Sequence, residues 1–390
     1  MTSDRVDADI IVIGLSPAGM MAARNASRGD AKVTVIDRKE EPGIPPHPAN
    51  TFFRAMIDRA GEEIDERYVI HNLRGARIVA PSGSSVVVES PGYFIDRTMF
   101  DKIYAKKLQE EGVDIRMGIE AYNVIRGQNS FTVSTSEGSL SSKIVIISDG
   151  INSKMASLLG MRPVKHPQDI AWAMEAEVNA DGIGSQDLFE YYVGSIAPGW
   201  KSTYSPCGGD RATLGVYVRR NGTDVSSFFD RWVDKFKKDK GISDLEVGER
   251  KTGGDPIATI PSQVVTDGVM ITGGAAGQSG IGYGMRSGQM CGDVAAEAIK
   301  KGNVSADFLS EYKKRWNREF RSEYYLGRLA LETLRKMEDD EINSLMETFE
   351  DQDISDIKGS PIQKALHTGS IMLKKNPGSI LSMRSIFRRK

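Results

Sequence analysis

The amino-acid sequence predicts an α/β protein in three parts: a domain built on a parallel sheet, a domain with a mostly antiparallel sheet, and a helical C-terminal region. Residues 9–37 run strand, glycine turn, helix and strand, which is typical of a parallel βαβ unit. Residues 163–258 show β-type alternation, and residues 306–345 carry aromatic side chains near helical spacing. With 39% hydrophobic residues, the chain can build a sizeable packed core.

Composition excludes several classes of protein. The 390 residues carry a net charge of −2, which argues against a nucleic-acid partner. No run of about 18 uncharged apolar residues is present, so we predict no membrane-spanning helix. The two cysteines and four histidines lack the spacing of a disulfide framework or a metal site. The N-terminus lacks the basic start and long apolar run of a signal peptide, so we expect a cytoplasmic protein.

The first element is a buried strand followed by a glycine-rich turn. The apolar run 9–13 leads into Gly14-Leu15-Ser16-Pro17-Ala18-Gly19 and then into a segment that favours helix. Gly14 permits the tight turn, a small residue at 16 lets backbone approach a pyrophosphate, and Gly19 lets the helix pack close to the strand. The helix N-terminus offers free N–H groups and a partial positive charge to phosphates. The pattern predicts a dinucleotide-binding turn, in which Ser16 stands where the fingerprint has glycine.

The second strand, 32–36, ends in an acid. Asp37 follows Gly14 by 23 residues, close to the spacing of about 20 at which a carboxylate binds the ribose hydroxyls. We therefore assign Asp37 and its neighbour Arg38 to the nucleotide. An ordinary strand–turn–helix without a ligand is the alternative at this point.

Later segments repeat the theme of a regular element beside an acidic or glycine turn. Arg97 opens a predicted helix, and Asp149-Gly150 and Gly273-Gly274 each follow a predicted buried strand. A glycine-rich segment, 280–288, leads into a helix that we expect to begin near Gly284. In this order and separation, the segments resemble the FAD-dependent oxidoreductases built like the aromatic hydroxylases. The resemblance implies a Rossmann-like FAD-binding domain with a parallel sheet.

This resemblance also assigns residues to FAD. One departure is Gly274, where the family has an aspartate on the ribityl chain of FAD. Losing one hydrogen bond weakens binding by about 0.5–1.5 kcal/mol, roughly tenfold at most, which the remaining contacts can offset. The implied cofactor-binding residues are Gly14, Ser16, Pro17, Ala18, Gly19, Asp37, Arg38, Arg97, Asp149, Gly150, Gly274, Gly280, Gly282, Gly284 and Met285.

Within that superfamily the chain resembles the geranylgeranyl reductases. The similar segments are 189–200, 280–288 and 337–345. The family's short cysteine motif is absent, and residues 46–50 occupy its place. The resemblance implies reduction of carbon–carbon double bonds in isoprenoid (geranylgeranyl or polyprenyl) lipids, by hydride transfer from flavin N5 with a proton added to the neighbouring carbon.

The proton donor is left open because the family cysteine is missing. His47 lies in the corresponding loop and titrates in a suitable range. Tyr204 and Tyr283 are further catalytic candidates by position. A solvated loop histidine is the alternative interpretation of His47, and we interpret Cys207 as a turn residue.

The domain assignment follows from these segments. We assign the FAD-binding domain to residues 1–50, 93–162 and 259–300, the substrate domain to 51–92 and 163–258, and the helical C-terminal region to 301–390. From Lys374 onward, six basic residues and no acids are interleaved with apolar ones. Peripheral contact with an anionic membrane surface and a solvated basic tail are the two interpretations of this segment.

Two other functions share this scaffold. A flavin monooxygenase would consume oxygen together with NAD(P)H, and a binding protein on a degenerate FAD scaffold would fit the departures at Ser16 and Gly274. No second nucleotide fingerprint is visible in the sequence. The electron donor therefore stays open between NAD(P)H and a ferredoxin.

Overall fold

A computed structural model of the chain describes residues 6–48, 50–164, 166, 169–219, 224–257, 259–278 and 280–350, with side chains described as far as residue 347. The chain divides into two compact units. Unit 1 comprises residues 1–68, 95–167 and 259–321, and unit 2 comprises residues 69–94, 168–258 and 322–390. The basic segment from Lys374 onward lies outside the described residues.

Runs of strands separated by single helices make up most of the described chain, and helices follow one another at its end. The strands are β1 (Ala8–Ile13), β2 (Val33–Ile36), β3 (Thr51–Phe53), β4 (Val69–Val79), β5 (Ser85–Ile95), β6 (Asp114–Arg116), β7 (Ala121–Arg126), β8 (Phe131–Thr135), β9 (Gly138–Ile147), β10 (Ile170–Asn179), β11 (Leu188–Tyr192), β12 (Lys201–Pro206), β13 (Arg211–Val218), β14 (Glu246–Val247), β15 (Lys251–Pro256), β16 (Val265–Thr266) and β17 (Val269–Ile271). The α-helices are α1 (Pro17–Arg28), α2 (Arg54–Arg59), α3 (Arg97–Glu110), α4 (Lys154–Leu158), α5 (Val225–Lys240), α6 (Ile281–Lys301), α7 (Ala306–Leu334) and α8 (Asp339–Glu350).

The sheet of unit 1 is built around a parallel centre. Its order is β16-β17-β9-β1-β2-β6, with β8 pairing β9 and β7 pairing β8. Strand β1 runs parallel to both β2 and β9, and Ile13 is in register with Ile36 and Ile147. Ile147 is in turn level with Ile271 of β17. The carboxyl ends of four strands therefore lie level along one edge of the sheet, where ligands bind in open α/β sheets.

Helices α1 and α6 of unit 1 pack closely because α6 presents glycines to α1. A β-carbon at Gly288 would lie 2.1 Å from the Ala18 carbonyl oxygen, and one at Gly292 would lie 2.2 Å from that of Ala22. No larger residue fits at either position, so α6 approaches α1 backbone to backbone. This contact holds the middle of α6 against the first half of α1.

Helix α6 begins earlier than the sequence predicts. It starts at Ile281 rather than near Gly284, with Gly280 as the N-cap at a φ of 84°. Glycine inside a helix costs about 1 kcal/mol of helix stability relative to alanine, so the sequence of this glycine-rich segment does not predict a helix. Tertiary packing overrides that cost here: a β-carbon at Gly282 would lie 2.5 Å from Cβ of Met56 on α2.

Unit 2 is a mostly antiparallel sheet covered on one face by α5. The strand order is β14-β10-β13-β12-β11-β4-β5, with β15 also pairing β10, and β4 runs parallel to β11. Helix α5 buries Phe228, Phe229, Trp232 and Phe236 against the sheet. The predicted fold class, with a parallel-containing sheet, a mostly antiparallel sheet and C-terminal helices, is confirmed.

Two further features concern the described part of the chain. None of its helices combines the length and the apolar character needed to cross a bilayer. Its His, Cys, Asp and Glu side chains form no group of three or more that could hold a metal ion.

Candidate cofactor site

Three turns of unit 1 meet at the level strand ends. A β-carbon built on Gly273 would lie 2.7 Å from Cβ of Ala18, so the turn after β17 contacts the turn after β1. One built on Gly274 would lie 3.6 Å from Cα of Gly150, in the turn after β9. The structure therefore brings together the three glycine turns that the sequence singles out.

The first turn depends on the absence of side chains. Gly14 has a φ of 103°, and a β-carbon there would lie 2.5 Å from the Ser148 carbonyl oxygen. A β-carbon at Gly19 would lie 2.1 Å from the Gly14 carbonyl oxygen and 2.3 Å from Oγ of Ser148. The Ser148 hydroxyl, which the sequence analysis missed, donates to the Gly14 carbonyl at 2.6 Å.

Ser16 is the N-cap of α1. Its hydroxyl accepts a hydrogen bond of 3.2 Å from the Gly19 N–H, and Pro17 occupies the first helical position. Serine is a favoured cap because it satisfies one of the free N–H groups of the first turn. The departure from the glycine fingerprint therefore has a local structural reason.

Asp37 is held by the backbone of the same turn. Its carboxylate accepts hydrogen bonds from the Leu15 N–H at 2.6 Å and from the Lys39 N–H at 2.9 Å. The acid at the end of β2 is thereby fixed beside the turn after β1. The neighbouring Arg38 side chain is exposed to solvent.

Asp149 carries an orphaned polar atom in the turn after β9. Its Oδ2 accepts from the Met155 N–H at 3.3 Å, whereas its buried Oδ1 has no hydrogen-bond partner among the described residues. Burial raises the pKa of Asp149, and hydrogen bonds from Ser153 and Met155 oppose that shift. Buried polar atoms are normally satisfied, so Oδ1 is an acceptor that a bound group can use.

Arg97 begins α3 and is largely buried. Its Nε contacts Oδ1 of Asp101 at 3.1 Å, one helical turn further on. The Thr98 hydroxyl donates to the Gly43 carbonyl at 3.1 Å, which ties the loop preceding β3 to the start of α3.

His47 lies in that same loop. The imidazole is accessible to solvent, yet enough protein surrounds it that desolvation lowers its pKa to about 4, with the charges of Arg97 and Lys39 adding to the effect. The ring is neutral near pH 7. It can then take part in hydrogen bonds, but it is not an imidazolium acid.

The start of α6 contributes the remaining predicted residues. A β-carbon at Gly280 or Gly284 would make only ordinary van der Waals contacts, at 3.9 Å to the Tyr283 ring and 3.7 Å to Cβ of Ala18. The Tyr283 ring packs edge-on against Phe320, with 5.5 Å between ring centroids. The Met285 side chain is fully buried.

Tyr204 lies in unit 2, inside the hydrophobic core under α5. Its hydroxyl donates to the Ile183 carbonyl, and its ring centroid lies 5.2 Å from that of Phe236. Burial raises the pKa of Tyr204 above its ordinary value. This environment is that of a packing residue and argues against contact with a substrate. Cys207 is also buried, and burial raises its pKa to about 12, which leaves the thiol unreactive.

The sequence similarities cover nearly the whole chain. A family model described as lycopene cyclase protein matches residues 9–360. Digeranylgeranylglycerophospholipid reductase 1 of Methanothermobacter thermautotrophicus is 30% identical over 98% of this chain and 98% of its own length. The chain belongs to the geranylgeranyl reductase family of FAD-dependent oxidoreductases. The family resemblance predicted from the glycine turns is confirmed.

Solved structures show the same fold in this family and beyond it. A geranylgeranyl bacteriochlorophyll reductase-like protein from Thermoplasma acidophilum superposes with a TM-score of 0.86 at 23% identity, covering 97% of this chain and 99% of its own. A flavin halogenase crystallised with FAD superposes with a TM-score of 0.71 at 11% identity, covering 96% of this chain and 84% of its own. At these identities the likeness is one of fold.

Proposed function

We propose that this protein is an FAD-dependent reductase of carbon–carbon double bonds in the isoprenoid chains of geranylgeranyl lipids. The observation that carries the proposal is the full-length similarity to a digeranylgeranylglycerophospholipid reductase. The fold, with three glycine turns at one edge of a parallel sheet, supports it.

The turns fit FAD. Asp149 Oδ1 is a buried acceptor without a donor among the described residues, and the space beside Gly150 is open where a side chain would otherwise project. In the proposal, the N-terminus of α1 faces the pyrophosphate and Asp37 faces the ribose. The turns at Gly150 and Gly274 and the start of α6 hold the remainder of the cofactor.

When bound and reduced, FAD supplies a hydride to an alkene carbon. The chain must hold that alkene in a productive pose and deliver a proton to the neighbouring carbon. We retain Tyr283 and His47 as the groups that handle this proton. Because its lowered pKa leaves the His47 ring neutral near pH 7, the proposal assigns the donated proton to the Tyr283 hydroxyl.

The central experiment uses the purified full chain. Its visible spectrum reports oxidised flavin, and anaerobic reduction followed by addition of a geranylgeranyl lipid should restore that spectrum and yield a product with more hydrogen by mass spectrometry. The same lipid with saturated chains is the matched control and should leave the flavin reduced. Reoxidation only by oxygen, with a hydroxylated product, would instead identify a monooxygenase. A colourless protein that takes up no FAD would leave only a binding role.

The electron donor is tested separately. NAD(P)H and reduced ferredoxin are each mixed with the oxidised holoprotein without oxygen, and the rate of flavin bleaching is followed. We expect ferredoxin to be the faster donor, since the sequence shows no second nucleotide fingerprint. Faster bleaching by NAD(P)H would reverse that assignment.

A further inference from the structure

A closed polar network lies directly behind the third glycine turn. Gln278 accepts hydrogen bonds at Oε1 from the Gly273 N–H at 2.6 Å and from the Ser287 hydroxyl at 2.5 Å. Its Nε2 donates to the Tyr312 hydroxyl at 3.0 Å. The Thr272 hydroxyl lies 3.0 Å from that of Ser287 and accepts from Tyr312 at 3.2 Å.

All four side chains are removed from solvent. Thr272, Ser287 and Tyr312 are 0% exposed and Gln278 is 3% exposed. They come from four places: Thr272 directly follows β17, Gln278 lies between the 3-10 turn and α6, Ser287 lies in α6, and Tyr312 lies in α7. A buried polar network of this kind is stable only when each member has its partners, and it then specifies one arrangement of the backbone it holds.

The backbone it holds is the turn that departs from the family. The backbone N–H of Gln278 also donates to the Gly273 carbonyl at 3.0 Å. Gln278 therefore binds both the N–H and the carbonyl of Gly273, the first with its side chain and the second with its backbone. The next residue, Gly274, is the only partly exposed member of the 3-10 turn Gly273–Ala276, and it is the residue without the family's aspartate.

We propose that Gln278, tied to Tyr312 and Ser287, is a positioning residue that fixes the Gly273-Gly274 turn for FAD where no aspartate side chain is present. The inference rests on the proposed cofactor. With the carboxylate gone, affinity at this turn depends on backbone groups already lying in place, because ordering them on binding would cost conformational entropy.

The test compares two buried glutamines of unit 1. Gln278→Met removes both the acceptor and the donor of the Gln278 side chain. Gln289→Met removes the same two groups away from the turn, where Gln289 donates to the Ala60 carbonyl at 2.6 Å and accepts from Arg286 at 3.2 Å. Both variants leave buried groups unsatisfied and should melt earlier as apoproteins. Only Gln278→Met should also weaken FAD binding, by roughly ten- to a hundredfold in Kd measured by flavin fluorescence.

The isosteric variant Gln278→Glu adds a readout that a purely structural role would not move. A protonated glutamic acid can donate to Tyr312 as the amide does, whereas the ionised form cannot. Tyr312 and Cys291 are the titratable groups beside the network, and burial raises the pKa of each. They stay neutral, so the ratio of variant to wild-type Kd should fall towards one as the pH is lowered from about 8 to about 5.5.

Two results would overturn the proposal. One is equal loss of FAD affinity in Gln278→Met and Gln289→Met at matched loss of stability, and the other is a Kd ratio for Gln278→Glu that is independent of pH. If the wild-type protein itself takes up no FAD, the proposed function fails instead, and the positioning role fails with it.

Discussion

Gly19 shows at the level of one residue how close packing shapes the cofactor turn. A β-carbon there would lie 2.1 Å from the Gly14 carbonyl oxygen, which is backbone and has no room to move away. We predict that Gly19→Val separates the turn after β1 from the turn after β9 and abolishes FAD retention. Visible absorbance of protein purified with excess FAD is the measurement.

A matched variant separates this effect from a general loss of stability. Gly253 on β15 has open space around its β-carbon position, so Gly253→Val should keep its full FAD content. Thermal melting of both apoproteins shows whether each variant folds. A folded, yellow and fully loaded Gly19→Val protein would mean that the pyrophosphate lies elsewhere.

Gly274 offers a test in the opposite direction. A β-carbon there would have its nearest neighbour, the Ile151 nitrogen, at 3.4 Å, so a side chain fits without moving backbone. Gly274→Asp restores the carboxylate of the related FAD enzymes and should tighten FAD binding by up to about tenfold, the worth of one hydrogen bond. Gly274→Asn is the uncharged control, and an unchanged Kd for both variants would show that this position does not face the cofactor.

Individual residues differ in how far the sequence could predict them. The conformations of Gly14 and Gly19 follow from their place between strand and helix, and the structure shows the close contacts that this motif requires. The N-cap role of Ser16 could also be predicted, because a serine followed by a proline is a signal for the start of a helix. Gln278 was missed because the network depends on Tyr312, which lies 34 residues further on in helix α7. A polar side chain inside a glycine-rich buried run is the signal that could have found it.

At the level of elements, the parallel strands and helix α1 were predictable from local pattern, whereas the start of α6 was not. Local propensity disfavours helix through Gly280, Gly282 and Gly284. What makes this segment helical is contact with Met56 and Ala18, which precede it by more than two hundred residues. Long-range packing of this kind leaves no trace in a local pattern.

Strand β10 places an acid with an unusual pKa on the sheet of unit 2. Glu175 accepts a hydrogen bond from the Tyr217 hydroxyl, and burial raises its pKa from 4.5 to about 7, although Tyr217 and Lys201 act to lower it. A pKa raised on folding stabilises the folded state most below about pH 4.5, and this contribution is lost as the pH rises through about 7.

We therefore predict that Glu175→Gln removes part of the pH dependence of stability. The melting temperature of the variant, relative to wild type, should rise by a few degrees between pH 5 and pH 8, since only the wild type acquires a buried charge there. Glu246→Gln, an exposed site on β14, is the control and should follow the wild type at every pH. Parallel melting curves for Glu175→Gln and wild type would contradict the raised pKa.

At the scale of the whole molecule, sequence pattern predicted the two kinds of sheet but not every boundary between units. Residues 51–68, which we assigned to the substrate domain, group with unit 1. Tyr68 packs on Phe100 of α3, with 5.1 Å between ring centroids, and such a contact is set by tertiary structure. The function could be predicted only from the resemblance to the geranylgeranyl reductases, because the apolar strands of unit 2 suit a packed core and a lipid site equally well.

The C-terminal segment from Lys374 onward is rich in basic residues, which bears on how the protein reaches a lipid substrate. Its six basic residues are Lys374, Lys375, Arg384, Arg388, Arg389 and Lys390. Basic residues near an anionic bilayer contribute about 1 kcal/mol each, so six of them with interleaved apolar side chains are enough for peripheral binding. We propose that this segment brings the enzyme to the membrane that carries its lipid substrate.

Replacing all six by glutamine should lower co-sedimentation with anionic vesicles by at least about a hundredfold in partition coefficient, and high salt should do the same to the wild type. Lys237→Gln with Lys238→Gln on α5 removes basic charge elsewhere and should leave binding nearly unchanged. Turnover of a lipid in vesicles should fall in the six-fold variant, while turnover of the same lipid in detergent should not. Only the lipid in vesicles requires the protein to bind a membrane surface first. Equal vesicle binding by the variant and the wild type would instead mean that the tail is solvated and that the substrate is reached by another route.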